Sequence, residues 1–285
     1  MTCNPSTPIQ TTILMTTTSE ADWIRPAWSD AGSVRALITT RAGGCSLGPF
    51  AGLNLHPGKD SDLPDERDQP DCVARNRAIL ESRLPQPPVW LTQVHGTRVL
   101  RLTQATLADH TAALADAVFT LDPDLVCAVM VADCLPVLLR SADGRAVGAV
   151  HAGWRGLAGG IIQKTVHAMR VATGNDHLPV QAWLGPAIGP AHFEVGAEVL
   201  AAMIAGLPQA RQAFRPSAPG KWHADLWQLA HQALGQAGVT DVGGGGQCTY
   251  ANPERFYSFR RDRITGRMAA LIWIQSDSID VPQKK

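Results

Sequence analysis

Apolar residues along this chain come in short runs, and the period within a run changes from stretch to stretch. Residues 34–39 (V-R-A-L-I-T) alternate as a strand with one buried face does, and a glycine-rich turn, T-R-A-G-G-C-S-L-G, follows. From 56 to 72 the chain is charged and contains proline, which predicts a loop. Val73, Ile79, Leu80 and Leu84 then fall on one side of a predicted helix over 73–84, ended by P-Q-P-P. Residues 89–102 predict two short strands with His95 and Gly96 between them, and 115–120 and 125–133 are further apolar runs. Cys127 and Met130 lie inside the last of these and read as core. Helices are predicted over 161–171, 193–207 and 224–237, and a strand followed by a loop over 183–190. The glycines at 243–246 predict a flexible connection, and 256–261 and 268–274 two last strands. Strands interleaved with helices predict an α/β fold with mixed sheets flanked by helices, behind a flexible leader at 1–20, and the length permits one large domain or two small ones.

The apolar runs at 137–139 and 146–150 are separated by a Ser-Ala-Asp-Gly turn signal and predict a hairpin. A four-residue loop at 141–144 sets Cys134 opposite His151. A two-residue Asp143-Gly144 turn instead sets His151 opposite Pro136, which cannot donate to a ladder, so the first register is preferred. Directly opposite residues have Cβ atoms roughly 4.5–5.5 Å apart, close enough for thiol and imidazole to share a metal ion or exchange a proton. His95, in T-Q-V-H-G-T where an apolar run gives way to glycine, is the candidate third ligand. The competing reading is two hydrogen-bonded core histidines and a buried thiol.

Composition narrows the partners. Lys plus Arg and Asp plus Glu are both 25, so the formal charge is zero and a generalised nucleic-acid-binding surface is excluded. The six cysteines contain no C-x-x-C pair, which in a chain of this size predicts reduced thiols in the cytoplasm and no disulfide framework. The leader has neither a basic start nor a long apolar run, and no stretch approaches the roughly 18 apolar residues that span a bilayer, so no membrane partner is expected. No heptad or other interface pattern predicts an oligomeric state.

T-Q-V-H-G (92–96), A-D-C-L-P-V (132–137), H-A-G-W-R-G (151–156) and G-P-A-I-G-P with F-E-V-G (185–196) together resemble, in that order, the motifs of the laccase-domain or YfiH-type family. The resemblance runs from T-T-R-A-G-G (39–44) to F-Y-S-F-R-R and T-G-R (256–267), nearly the whole chain. It implies a single catalytic domain over 21–285, a layered α/β sandwich, and a zinc-dependent purine nucleoside phosphorylase with adenosine deaminase activity. Members are also described as polyphenol oxidases and peptidoglycan-editing amidases.

The residues allow that chemistry. His95, Cys134 and His151 are ligands zinc accepts, and three protein ligands leave a fourth position for water or substrate. Phosphorolysis needs inorganic phosphate held by an anion pocket. Arg41 in its glycine-rich turn is one candidate, against a plain surface arginine; Arg155, in the glycine-rich turn before a helix, is the other. Asn54, which the family's G-x-N-L places near the site, and Gln93 are expected to orient substrate. Asp133 is either a proton shuttle or a structural carboxylate accepting the second N–H of a ligating histidine. Tandem Arg260 and Arg261 either serve an anion or point to opposite faces. The alternative mechanism is metal-free, with Cys134 as nucleophile and His151 as base cleaving an amide. A single copper suits the same ligands, but nine histidines without a His-x-His pair disfavour a multicopper cluster.

Overall fold

The computed structural model describes residues 23–28, 32–57, 67–107 and 113–276. Its strands are β1 (Val34–Ile38), β2 (Val99–Leu102), β3 (Ala117–Thr120), β4 (Cys127–Val131), β5 (Leu135–Ser141), β6 (Val147–Ala152), β7 (Val180–Leu184), β8 (Glu194–Gly196), β9 (Phe214–Pro216), β10 (Lys221–Ala224), β11 (Asp241–Gly244) and β12 (Met268–Ile274). The helices are α1 (Pro70–Glu81), α2 (Gln104–Leu107), α3 (Trp154–Ala158), α4 (Ile161–Thr173), α5 (Ala197–Gly206), α6 (Leu226–Gln236) and α7 (Phe259–Asp262). Six strands form the main sheet in the order β11-β7-β5-β6-β3-β2, parallel at its two outer pairs and antiparallel within. An antiparallel sheet, β1-β12-β4, covers one of its faces, and β8-β10-β9 forms a small third sheet.

Burial on both faces explains why the central strands read as continuous apolar runs instead of alternating ones. In β5, Leu138 faces the second sheet and packs with Ile38, Val129 and Ile272, while Val137 and Leu139 face the helices with Ile162, Val166 and Leu229. The second sheet is itself covered on its far side, where Leu37, Ala128 and Leu271 meet Leu80 of α1. The layers therefore run α1, three-stranded sheet, six-stranded sheet, then α4 and α6. Helix ends follow local chemistry: Pro70 opens α1, the Asp225 side chain accepts from the N–H groups of Trp227 and Gln228 to start α6, and Gly174 closes α4 at φ 66°.

Several expectations are corrected. The β5–β6 register pairs Pro136 with His151, not Cys134 with His151. The loop is 142–145, closed by Ser141: its N–H donates to the Ala146 carbonyl, its hydroxyl accepts from the Ala146 N–H, and its carbonyl accepts from Gly144. Pro136 costs this ladder nothing, because at that pair the hydrogen bonds point outward: the Pro136 carbonyl accepts from Gly185 and the His151 N–H donates to the Asp116 carbonyl. The glycines at 243–246 are not merely a connection, since Gly243 and Gly244 belong to β11. A Cβ at Gly243 would come within 2.9 Å of the Trp183 ring, so only glycine lets the strand lie there. Residues 259–262 form a helical turn and not a strand, because Ser258 caps it by accepting from the Arg261 N–H. The first strand predicted within 89–102 shrinks to a single bridge between Thr92 and Leu114, and a short strand, β8, precedes the helix expected over 193–207. The leader at 1–20 and residues 58–66 of the charged loop lie outside the described residues.

Candidate metal centre and active site

Four strands bring their chemistry to one end of the main sheet. Cys134 stands just before β5, Asp116 just before β3, His151 near the end of β6, and His95 in the turn that leads to β2. Because β6 is antiparallel to both β5 and β3, and β2 is parallel to β3, these positions coincide in space. One ligand atom from each of His95, Cys134 and His151 lies within 4.8 Å of the other two. The thiol sulfur is 3.6 Å from His95 Nε2, and the two imidazole rings meet edge to face with centroids 4.8 Å apart. The space between them depends on Gly153, the residue just beyond the last β5–β6 pair, Leu135 with Ala152. A Cβ there would sit 2.8 Å from His95 Cδ2 and 3.1 Å from Cys134 Sγ.

Asp116, which the sequence reading passed over, holds this arrangement. Its Oδ1 accepts from His151 Nδ1 at 2.8 Å and from the His95 N–H at 2.9 Å, while Oδ2 accepts from the N–H groups of Gly96 at 2.7 Å and Val94 at 3.2 Å. One fully buried carboxylate therefore fixes the tautomer of His151, leaving Nε2 toward the cluster, and stabilises the tight turn in which His95 adopts φ 60°. Burial works against its charge, but the hydrogen bonds from His151 and Gly96 hold its carboxyl below the usual range. Burial also opposes ionisation of Cys134, yet the imidazoles of His151 and His95 outweigh it and bring the thiol down to about 6. Against the same burial, the Cys134 sulfur and Asp116 push His151 up to about 9.

Two imidazoles and an ionised thiolate, converging with a carboxylate behind one of them, fit a tetrahedral ion bound by three protein ligands with one position open. Zinc and copper both accept this donor set. Among the described residues it is the one group of three or more His, Cys, Asp or Glu side chains arranged to hold a metal.

The group opens onto a cavity of about 610 Å³. Its lining includes Arg260, Arg267 and His56 together with apolar Phe193, Phe259, Ile188 and Met130. Arg260 donates through Nη1 to the Glu194 carbonyl and lies over Phe193; Arg267 donates through Nη1 to the carbonyls of Thr265 and Gly266.

The family model described as multi-copper polyphenol oxidoreductase laccase matches residues 35–275. The chain belongs to this laccase-domain family. Among its relatives, a purine nucleoside phosphorylase of Pseudomonas aeruginosa is 47% identical over 255 residues, which span 89% of this chain and 98% of that protein. The purine nucleoside phosphorylase YfiH of Escherichia coli is 46% identical over 88% of this chain and 98% of its own length. Among solved structures, a Neisseria meningitidis protein described as DUF152 superimposes with a TM-score of 0.79 at 42% identity, covering 90% of this chain and all of that one. YlmD of Geobacillus stearothermophilus gives 0.79 at 30% identity over 89% and 96%.

In this laccase-domain chain the other sequence-predicted residues take varied positions. Gln93 lines the cavity, but its amide pairs with the backbone of Met130, donating at 2.8 Å and accepting at 2.7 Å, and so ties the turn to the end of β4. Asp133 adopts φ 93°, and its carboxylate accepts from the Thr249 hydroxyl and the Arg260 N–H, both at 2.6 Å. It thus bends the chain immediately before Cys134, while the carboxylate behind the histidine is Asp116. Arg41, Asn54 and Arg155 do not line the cavity. The Arg41 guanidinium donates to the carbonyls of Ala51 and Pro253 and lies over Tyr257. Buried Asn54 bridges His56, Asp68 and the Arg267 N–H, and exposed Arg155 lies against Trp154. Within the described residues no helix is long and apolar enough to cross a membrane.

Proposed function

We propose that the chain is a cytoplasmic, zinc-dependent purine nucleoside phosphorylase acting on adenosine, inosine and methylthioadenosine, with adenosine deamination as a second reaction of the same centre. The observation that carries this reading is that the His95, Cys134 and His151 cluster opens onto a cavity whose lining brings Arg260 and Arg267 together with Phe193 and Phe259. The names of the relatives support it. Zinc, when bound, supplies a Lewis acid with an open position.

The chain's own residues do the rest. Asp116 fixes His151 so that its Nε2 faces the cluster. Arg260 and Arg267 hold inorganic phosphate by charge-assisted hydrogen bonds and present it to C1′ of the ribose, a role that Arg41 and Arg155 are poorly placed to fill from outside the cavity. Phe193 and Phe259 take the flat face of the purine. A second reading has a specific support of its own: the Cys134 thiol, brought down to about 6 beside His151, is a nucleophile for an amide if no metal holds it.

Elemental analysis of the purified protein, paired with adenosine turnover with and without phosphate, separates the two. Stoichiometric zinc with phosphate-dependent release of adenine is expected. Arg267→Gln is expected to raise the KM for phosphate tenfold or more with zinc content unchanged. A metal-free protein with alkylatable Cys134 and no nucleoside turnover overturns the phosphorylase reading in favour of the amidase.

A further inference from the structure

Away from the metal centre a second pair of thiols meets across two elements. Cys45 lies in the glycine-rich turn after β1, and Cys72 in the first turn of α1. The Cys45 sulfur is 3.5 Å from the Cys72 carbonyl oxygen, and the Cys72 sulfur is 3.3 Å from the Cys45 carbonyl oxygen, so each side chain lies against the other residue's backbone. Both are half-buried, in contrast to Cys127, which is fully enclosed. The turn is clamped onto the helix independently of the thiols. The Cys45 N–H donates to Asn76 Oδ1 at 2.9 Å, and Asn76 Nδ2 donates to Ser46 Oγ and to the carbonyls of Gly52 and Asn54. The scaffold therefore holds the two cysteines together in the reduced protein.

Their surroundings differ. The Arg75 guanidinium donates to the Cys72 sulfur at 3.3 Å, so a cation faces that sulfur as it reacts. Burial and the adjacent Cys72 push Cys45 up to about 11, so it keeps its proton. A cysteine sulfur held by a guanidinium, with a second, protonated cysteine against its backbone, is the arrangement of an attacking and a resolving cysteine.

We propose that Cys45 and Cys72 form a reversible dithiol–disulfide site that reacts with low-molecular-weight disulfides. Cys72 gives its proton to solvent and its sulfur attacks one sulfur of the oxidant, forming a mixed disulfide and expelling the first small thiolate. Cys45 then gives its proton to that thiolate and attacks the Cys72 sulfur; the Cys45–Cys72 bond forms and the second small thiolate leaves, taking a proton from solvent. Two electrons pass from the cysteine pair to the oxidant, which is released as two thiols. The product staples the turn to α1 beside the segment that carries His56 to the cavity. The site is separate from the phosphorylase reading and does not depend on it.

The test is incubation of the full-length protein with oxidised glutathione, followed by peptide mapping without reductant. The wild type is expected to yield a Cys45–Cys72 linked peptide that dithiothreitol separates, with a raised Tm. Cys45→Ser is expected to stop at a glutathione adduct on Cys72, and Cys72→Ser to leave Cys45 unmodified; neither variant should gain Tm on oxidation. Glutathione adducts on both cysteines without a linked peptide, or an unreacted pair while Cys134 or Cys248 is modified, overturns the proposal.

Discussion

Asp116 is the residue on which the geometry of the centre turns, because one carboxylate receives His151 Nδ1 and three backbone N–H groups of the 94–96 turn. Asp116→Asn keeps the shape but presents an amide –NH₂ where Oδ2 accepts from Gly96 and Val94. The turn carrying His95 and the orientation of His151 are expected to loosen together, weakening zinc binding by about 10–100-fold, as loss of such partners typically does. Competition against a chromophoric chelator measures this directly, and an unchanged affinity would mean that the ligands hold themselves. The grouping of His95, Cys134 and His151 was legible in the sequence because histidine and cysteine at the ends of apolar runs are rarely neutral choices. Asp116 was not, since A-D-A-V-F-T reads as a strand with one polar interruption. Its signal was there all the same: an acidic side chain immediately before a fully buried strand must find several donors.

Elements were read well where period and caps agreed, as in α4, α6 and β12, and less well where a side chain took over a backbone role. The hairpin register is the clearest case. Turn chemistry suggested a loop at 141–144, but the Ser141 hydroxyl stands in for its carbonyl and moves the loop on by one residue, and Pro136 leaves the β5–β6 ladder intact by sitting at a pair whose hydrogen bonds point outward, toward β7, where the Gly185 carbonyl accepts from the Trp227 indole instead. Cys134 consequently reaches His151 past Gly153 and not by facing it. The predicted joining of thiol and imidazole survives through a different path. At this scale the layered packing makes its own prediction. Leu138 projects from β5 into the space between the two larger sheets and is fully buried, so Leu138→Ala is expected to cost about 2–5 kcal/mol in denaturant unfolding. A cost below about 1 kcal/mol would mean that the sheets close over the cavity with little resistance.

For the molecule as a whole, stability and site are linked through charge as well as packing. Burial, with Arg267 and Arg77 nearby, brings His56 down to about 4 from an ordinary value of about 6.5. Between those values the unfolded chain binds a proton that the folded chain refuses. The contribution of His56 to stability is therefore complete above about 6.5 and is lost as pH falls toward 4. Unfolding free energy measured across this window should fall more steeply for the wild type than for His56→Asn; parallel curves would place the titration elsewhere.

His95, Asp116, Cys134 and His151 come from four separate stretches of chain that meet only when β2, β3, β5 and β6 lie side by side. No excised peptide can carry this centre, and an ion that occupies it acts as a clasp across four strand ends. Because such an ion binds the folded chain and not the open one, its free concentration sets part of the folding equilibrium. A cell deprived of the metal would then hold a protein that is not only idle but more often unfolded and more quickly destroyed, so that metal supply would govern how much of it persists.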